Sequence, residues 1–249
     1  MDYDDVVAVA FMPTPETTTA RPTEGDSVAR RFRDAIEPIA MHAVWSRLTN
    51  ERLAALGLNF RTAYVWGRAA ALGEPEPGLV VSSFAVFEPS MITSAYEEGR
   101  RACGRTELLE TRTESTIESL IRTLDGADVS GVADALERAV TPADVTGRPL
   151  FGGLSSRAWP SNPVGRLWHA CELAREHRGD SHVAVCVERG LGPIEMNILT
   201  ELWVGMSLGA YTSTRGWSQD QIAQAVAGLQ AAGLMDGEDL TADGRQMRD

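Results

Sequence analysis

The 249-residue sequence contains no lysine: all 23 of its basic residues are arginine. That absence excludes Schiff-base chemistry on a side chain and the lysine of a phosphate-binding P-loop. Cysteine is nearly as scarce. Cys103, Cys171 and Cys186 are odd in number and widely spaced, which fits neither a disulfide framework nor a zinc ribbon. No stretch approaches the ~18 uninterrupted apolar residues of a membrane span. The one apolar run near the start, 6–12, follows Asp2, Asp4 and Asp5, where a secretory signal carries positive charge. These absences predict a cytoplasmic protein with no membrane partner and no cofactor. Positive charge is in deficit overall: the formal net charge of −12 argues against a general phosphate-binding surface.

What is present is ordinary for a globular chain, with 43% apolar and 23% charged residues. The length suits one large domain or two small ones. Residues 1–27, rich in Thr, Pro, Asp and Glu and interrupted by Pro13, Pro15 and Pro22, read as a disordered tail. From residue 28 the pattern is helical, so the fold class is mainly all-α. Phe32, Ile36, Ile39, Met41, Val44, Trp45 and Leu48 recur on one helical face, with Pro38 as a kink or break. Further helices are predicted over 50–56, 60–72, 79–87, 106–124 and 130–140. Pro77 and Pro89 sit where helices begin. The Gly-, Ser- and Pro-rich stretch 147–163 reads as a linker between a helical domain at 28–146 and a second at 164–249. Beyond it, one helix runs from 164 and stops at Gly179, a second starts on an Asp180 or Ser181 cap and stops at Gly190, and a third begins at Pro193.

The most specific fold signal lies at the end. A short helix over 206–214, a turn at Arg215-Gly216-Trp217, and a helix capped by Ser218 and ended by Gly233 form the grammar of a helix-turn-helix. That second helix places Ile222, Val226 and Leu229 at core spacing. Leu234-Met235, Asp236-Gly237-Glu238-Asp239 and Leu240-Thr241 then outline a small β-wing before a final helix near Gly244.

The ending "GLMDGEDLTADGRQMR" resembles the wing of regulators of the multiple-antibiotic-resistance and arsenical-repressor types. The strings "LWHACELAREHRGDSHVAV", "TRGWSQDQ", "LTADGR" and "RPLF" are similar to an actinobacterial family of helix-turn-helix regulators, over everything except the first thirty or so residues. The resemblance implies a winged-helix transcriptional regulator that binds double-stranded DNA, and a large helical half attached to a winged module suits a homodimer that senses a small molecule. It also implies a further helix beyond Asp249.

Two constellations are candidate sites. In the first, Gln219, Gln221 and Gln224 on the second helix of the C-terminal element read bases and Arg215 holds a phosphate, since Gln pairs bidentately with adenine. Against this, residues 218–244 contain Asp220, Asp236, Glu238, Asp239 and Asp243 and no Arg, so the element could instead dock a protein. In the second, His169, His177 and His182 gather with Glu172, Glu176 and Asp180. His169, Glu172 and Glu176 share a helical face, an arrangement able to bind a ligand or perform acid–base chemistry. The competing reading pairs Glu172 and Glu176 with Arg175 and Arg178 on a solvated face. The spacing matches no standard metal motif. A cavity for a small apolar ligand is placed among Trp45, Tyr64, Trp66 and Phe84. Gly205 to Gly209 fits G-x-S-x-G, but no strand precedes it and every His lies before Ser207, so no nucleophile elbow is expected.

Overall fold

The computed structural model describes residues 3–10 and 27–248, and it is mostly helical. The first five helices are α1 (Tyr3–Ala10), α2 (Val28–Ala40), α3 (His42–Trp45), α4 (Arg47–Ala55) and α5 (Phe60–Ala69), which runs on into a 3-10 turn, Ala70–Leu72. There follow α6 (Pro77–Phe84), α7 (Pro89–Ala102), α8 (Arg105–Leu124), α9 (Ser130–Val140) and α10 (Pro149–Ser155). The last are α11 (Pro163–Glu188), α12 (Pro193–Trp203), α13 (Gln219–Ala231) and α14 (Ala242–Arg248). Two short strands, β1 (Met235–Asp236) and β2 (Asp239–Leu240), pair antiparallel between α13 and α14.

Local chemistry explains most boundaries. Ser46, Asn59 and Ser218 each accept a backbone N–H at the start of a helix, which satisfies donors that have no partner in the first turn. Pro149 and Pro193 open α10 and α12. The tail expected over 1–27 is partly ordered: α1 is helical, with the Tyr3 hydroxyl donating to the Trp45 carbonyl at 2.7 Å and Arg47 pairing with Asp4. The rest of that expectation, 11–26, lies outside the described residues.

The described residues form two compact units. The first comprises 3–10, 27–83 and 93–182; the second comprises 84–92 and 183–248. The stretch 147–163 is therefore not a linker. It contains α10, whose Leu150, Phe151 and Leu154 are buried in the first unit.

The first unit is organised around α11. One cluster joins Ile36 and Ala40 of α2 with Val129 and Ala133 near α9 and Leu167 and Cys171 of α11. Another joins Val140, Phe151 and Leu154 with Ala170 and Leu173 of α11. α4 lies close along α8 through small polar side chains. Ser46 donates to Ser119 at 2.9 Å, and Thr49 meets Thr116 at 3.5 Å.

α11 corrects the sequence reading directly. The helix expected to stop at Gly179 runs unbroken to Glu188, and the true stop is Gly190, at φ 72°. Asp180 is not a cap for a new helix. Its carboxylate points across to α10 and accepts the Phe151 N–H at 2.9 Å. With that carboxylate occupied elsewhere, nothing competes with the helical bonds at Gly179, and the lack of a side chain there costs only propensity.

The second unit packs α12, α13 and the hairpin around Ile198, Leu199, Trp203, Ile222, Ala225, Leu229, Leu234, Met235 and Leu240. The expected short helix over 206–214 is absent, replaced by turns and a 3-10 segment, Thr212–Arg215. The cause is Glu201. Its carboxylate, fully buried at 0% exposure, accepts the N–H groups of Gly209, Tyr211 and Thr212 at 2.8, 2.8 and 2.9 Å. A loop wrapped around one carboxylate has satisfied its donors without helical bonds. At Gly244 a Cβ would meet the Leu234 carbonyl oxygen at 2.1 Å, so only glycine lets α14 start against the hairpin.

Candidate functional site

α13 sits after the turn with one face in the core and the other bare. Ile222, Ala225 and Leu229 are buried, Val226 is half-buried, and Gln219, Ala223, Gln224 and Ala227 are exposed. The four residues expected to touch nucleic acid are placed differently from one another. Gln219 and Gln224 face outward. Gln221 is drawn into a capping box: its Oε1 accepts the Ser218 N–H at 3.0 Å while Ser218 Oγ accepts the Gln221 N–H at 3.3 Å. Arg215 stacks its guanidinium over the rings of Tyr211 (4.0 Å) and Phe87 (4.8 Å), and its backbone carbonyl accepts the Glu88 N–H at 2.9 Å. Its chief visible task is to hold the turn.

The same segment is tied down by two donors converging on one carbonyl. Asn197 Nδ2 and Trp217 Nε1 reach the Val86 oxygen at 2.8 and 3.0 Å. Beyond α13, the hairpin registers Met235 with Leu240 and Asp236 with Asp239, and Gln230 Nε2 braces the Gly237 carbonyl at 3.0 Å. Its exposed residues Asp236, Glu238 and Asp239 are all acidic.

The matched sequence profile covers residues 29–249 and describes a helix-turn-helix family. The chain belongs to this helix-turn-helix family. No curated protein and no solved structure matches it. In this helix-turn-helix protein, α13 follows the turn at Gly216-Trp217, and its outer face is exposed.

The first unit holds a second candidate site, assembled differently from the sequence expectation. Glu172 and Glu176 are not on a solvated face; they are 7% and 8% exposed. Glu176 is gripped bidentately by Arg68 at 2.8 and 2.7 Å and met by Arg175 at 3.1 Å. Burial alone pushes the Glu176 carboxyl up, but the charge and hydrogen bonds of Arg68, with Arg175 and Arg112, hold it at about 2. Glu172 takes Arg112 at 2.5 Å on one oxygen, and its other oxygen, Oε2, is buried with no partner among the described residues.

These groups border a cavity of about 50 Å³, walled also by Tyr64, Leu150 and Arg157. It is not the aromatic cavity expected. Tyr64 lines it, but Trp45 packs on Phe60, Trp66 is buried edge-on to Tyr96 and donates to the Cys103 carbonyl, and Phe84 belongs to the second unit. Four arginines, Arg68, Arg112, Arg157 and Arg175, make its wall cationic.

The histidines do not converge on it. His169, 3% exposed, lies edge-on to Trp159 at 4.7 Å, and burial, aided by the charges of Arg157 and Arg112, lowers its pKa to about 4. His177 stacks edge-on to Phe151 at 4.9 Å, and His182 lies farther along α11. Asp180 is 5% exposed and burial raises it to about 6, opposed by the Phe151 hydrogen bond. Among the described residues no group of three or more His, Cys, Asp or Glu is arranged to hold a metal ion. No helix of the described residues is long and apolar enough to cross a membrane.

Sequence reasoning missed Glu201, Arg68, Arg112 and Arg157. Glu201 carried a usable signal, an acid within the apolar run Ile198-Leu199-Thr200-Glu201-Leu202-Trp203. The arginines carried none: the carboxylate partners of Arg112 and Arg68 lie 60 and 108 positions away in the chain, and Arg157 pairs with no carboxylate among the described residues.

Proposed function

We propose that this helix-turn-helix protein is a transcriptional regulator that reads duplex DNA with α13, with the β1–β2 hairpin serving as a wing. The observation that carries the reading is the outward face of α13. Gln219 and Gln224 are exposed beside Ala223 and Ala227, small residues that let a helix lie deep in a major groove. Gln221 completes the capping box with the N-cap Ser218, and Arg215 fixes the turn before the helix.

Charge sets the character of this binding. Residues 218–244 offer Asp220, Asp236, Glu238, Asp239 and Asp243 and no cation, so few phosphates are neutralised. Selection of bound duplexes from a random pool, followed by anisotropy titration over a salt series, tests the reading. The expected slope of log K against log[salt] is shallow, between about −1 and −2, the value for one or two phosphate contacts. The double substitution Gln219→Ala and Gln224→Ala should flatten the selected preference by ten-fold or more, at about 1–3 kcal/mol per lost base contact. No enrichment at low salt, or a preference untouched by the double variant, overturns it.

A second reading is favoured by the acidic hairpin itself, which repels a neighbouring phosphate and suits a basic protein surface. It predicts failure of the duplex selection together with binding that Asp236→Asn and Asp239→Asn weaken.

A further inference from the structure

The cavity of the first unit has a charge imbalance that its own side chains leave unresolved. Arg68 is neutralised by Glu176, and Arg175 is shared between Glu176 and Glu37. Arg112 pairs with Glu172. Arg157 meets no carboxylate among the described residues; its one hydrogen bond is a long one, 3.4 Å, to the Thr113 hydroxyl. Burial and the charges of Arg112 and Arg105 lower the Arg157 pKa, and the nearby charge of Glu172 only partly opposes them. On the same wall Glu172 Oε2 is buried and accepts nothing. A half-buried cation without a directly paired carboxylate and a buried acceptor without a donor are both costly. Arg157 and Glu172 both line this one cavity.

We infer that this cavity binds a small 2-hydroxy- or 2-amino-carboxylic acid, its carboxylate on Arg157 and Arg112 and its hydroxyl or ammonium donating to Glu172 Oε2. One molecule then meets both unmet demands. The volume of about 50 Å³ has room for about four waters, which is the size of a two- or three-carbon acid. Sulfate fits the arginines but not the site, because an anion made only of acceptors would sit against the open carboxylate oxygen of Glu172. A neutral amide satisfies Glu172 and leaves Arg157 unmatched. This ligand site stands independently of what α13 binds.

Calorimetric titration of the full chain with L-lactate, glycolate, glycine and L-serine tests the inference, with propionate, lactamide and sulfate as controls. At least one of the first four should bind, and at ten times its Kd should raise Tm by about 3–5 °C. Propionate lacks the donor, lactamide lacks the charge, and both should bind at least ten-fold more weakly. Arg157→Gln removes no ion pair, so it should unfold near the wild-type temperature while losing ten-fold or more in affinity. Glu172→Gln should abolish the preference for L-lactate over propionate. Silence across the first four acids, equal binding of sulfate or propionate, or undiminished affinity in Arg157→Gln would each overturn the inference.

Discussion

Two buried residues set much of the chain's local energetics. Glu201 supplies one acceptor site to three backbone donors, which are left in the interior if the carboxylate is removed. Glu201→Ala should therefore destabilise the protein by about 3–5 kcal/mol, since charged hydrogen bonds contribute about 1.5–3 kcal/mol each and their loss is not additive. Urea unfolding followed by tryptophan fluorescence measures this, and a change below about 1 kcal/mol would show that the loop holds without its acid. His169 gives the chain a pH dependence of definite sign. Its native pKa of about 4 lies below the ordinary value of 6.5, so the neutral ring is favoured in the folded state. The stability it contributes is complete above pH 6.5 and drains away as pH falls toward 4, by about 3 kcal/mol in all. Asp180, raised to about 6, acts in the opposite direction over the same window, but equally in any His169 variant. Comparison of Tm against pH for wild type and His169→Gln should show wild type falling more steeply between pH 6.5 and 4. Parallel curves would refute the assignment.

Elements were legible wherever the signal was local. Ser218 and Gly233 bracket α13, and Pro193 opens α12 as the spacing predicts, because caps, prolines and apolar periodicity act within a few residues. α11 was misread at Gly179 because a glycine followed by Asp and Ser is the local grammar of a stop and a restart. What overrode it is a long-range bond from Asp180 to the Phe151 N–H. The backbone at Gly179 is helical, and a Cβ built there meets nothing closer than the Glu176 carboxylate at 3.9 Å. Gly179→Ala should accordingly stabilise the protein by about 0.5–1 kcal/mol, the difference in helix propensity. Thermal or chemical denaturation checks the sign, and destabilisation would return Gly179 to the role of a helix stop. The cavity was illegible for a related reason. α11 supplies its carboxylates in a regular pattern, but their cations come from α5 and α8, and no period in the chain links Arg68 to Glu176.

At the scale of the whole molecule, the deficit of positive charge is distributed in a meaningful way. The chain carries −12 overall, yet four arginines line one interior cavity while the exposed hairpin beside α13 is acidic. Cation density is thus concentrated at that cavity and absent from residues 218–244. The DNA reading proposed for α13 therefore calls for recognition through base edges with little counterion release, and the shallow salt slope proposed above is its measurable mark.

All three thiols are buried, and they are divided between the units: Cys103 and Cys171 in the first, Cys186 in the second. In the native chain, alkylation at each must await an opening of the structure that encloses it. Peptide-resolved mass spectrometry of iodoacetamide labelling thereby times the breathing of the two units separately, without inserting any dye. The silent thiol background also leaves an exposed position such as Gln224 free to carry one engineered cysteine as a reporter.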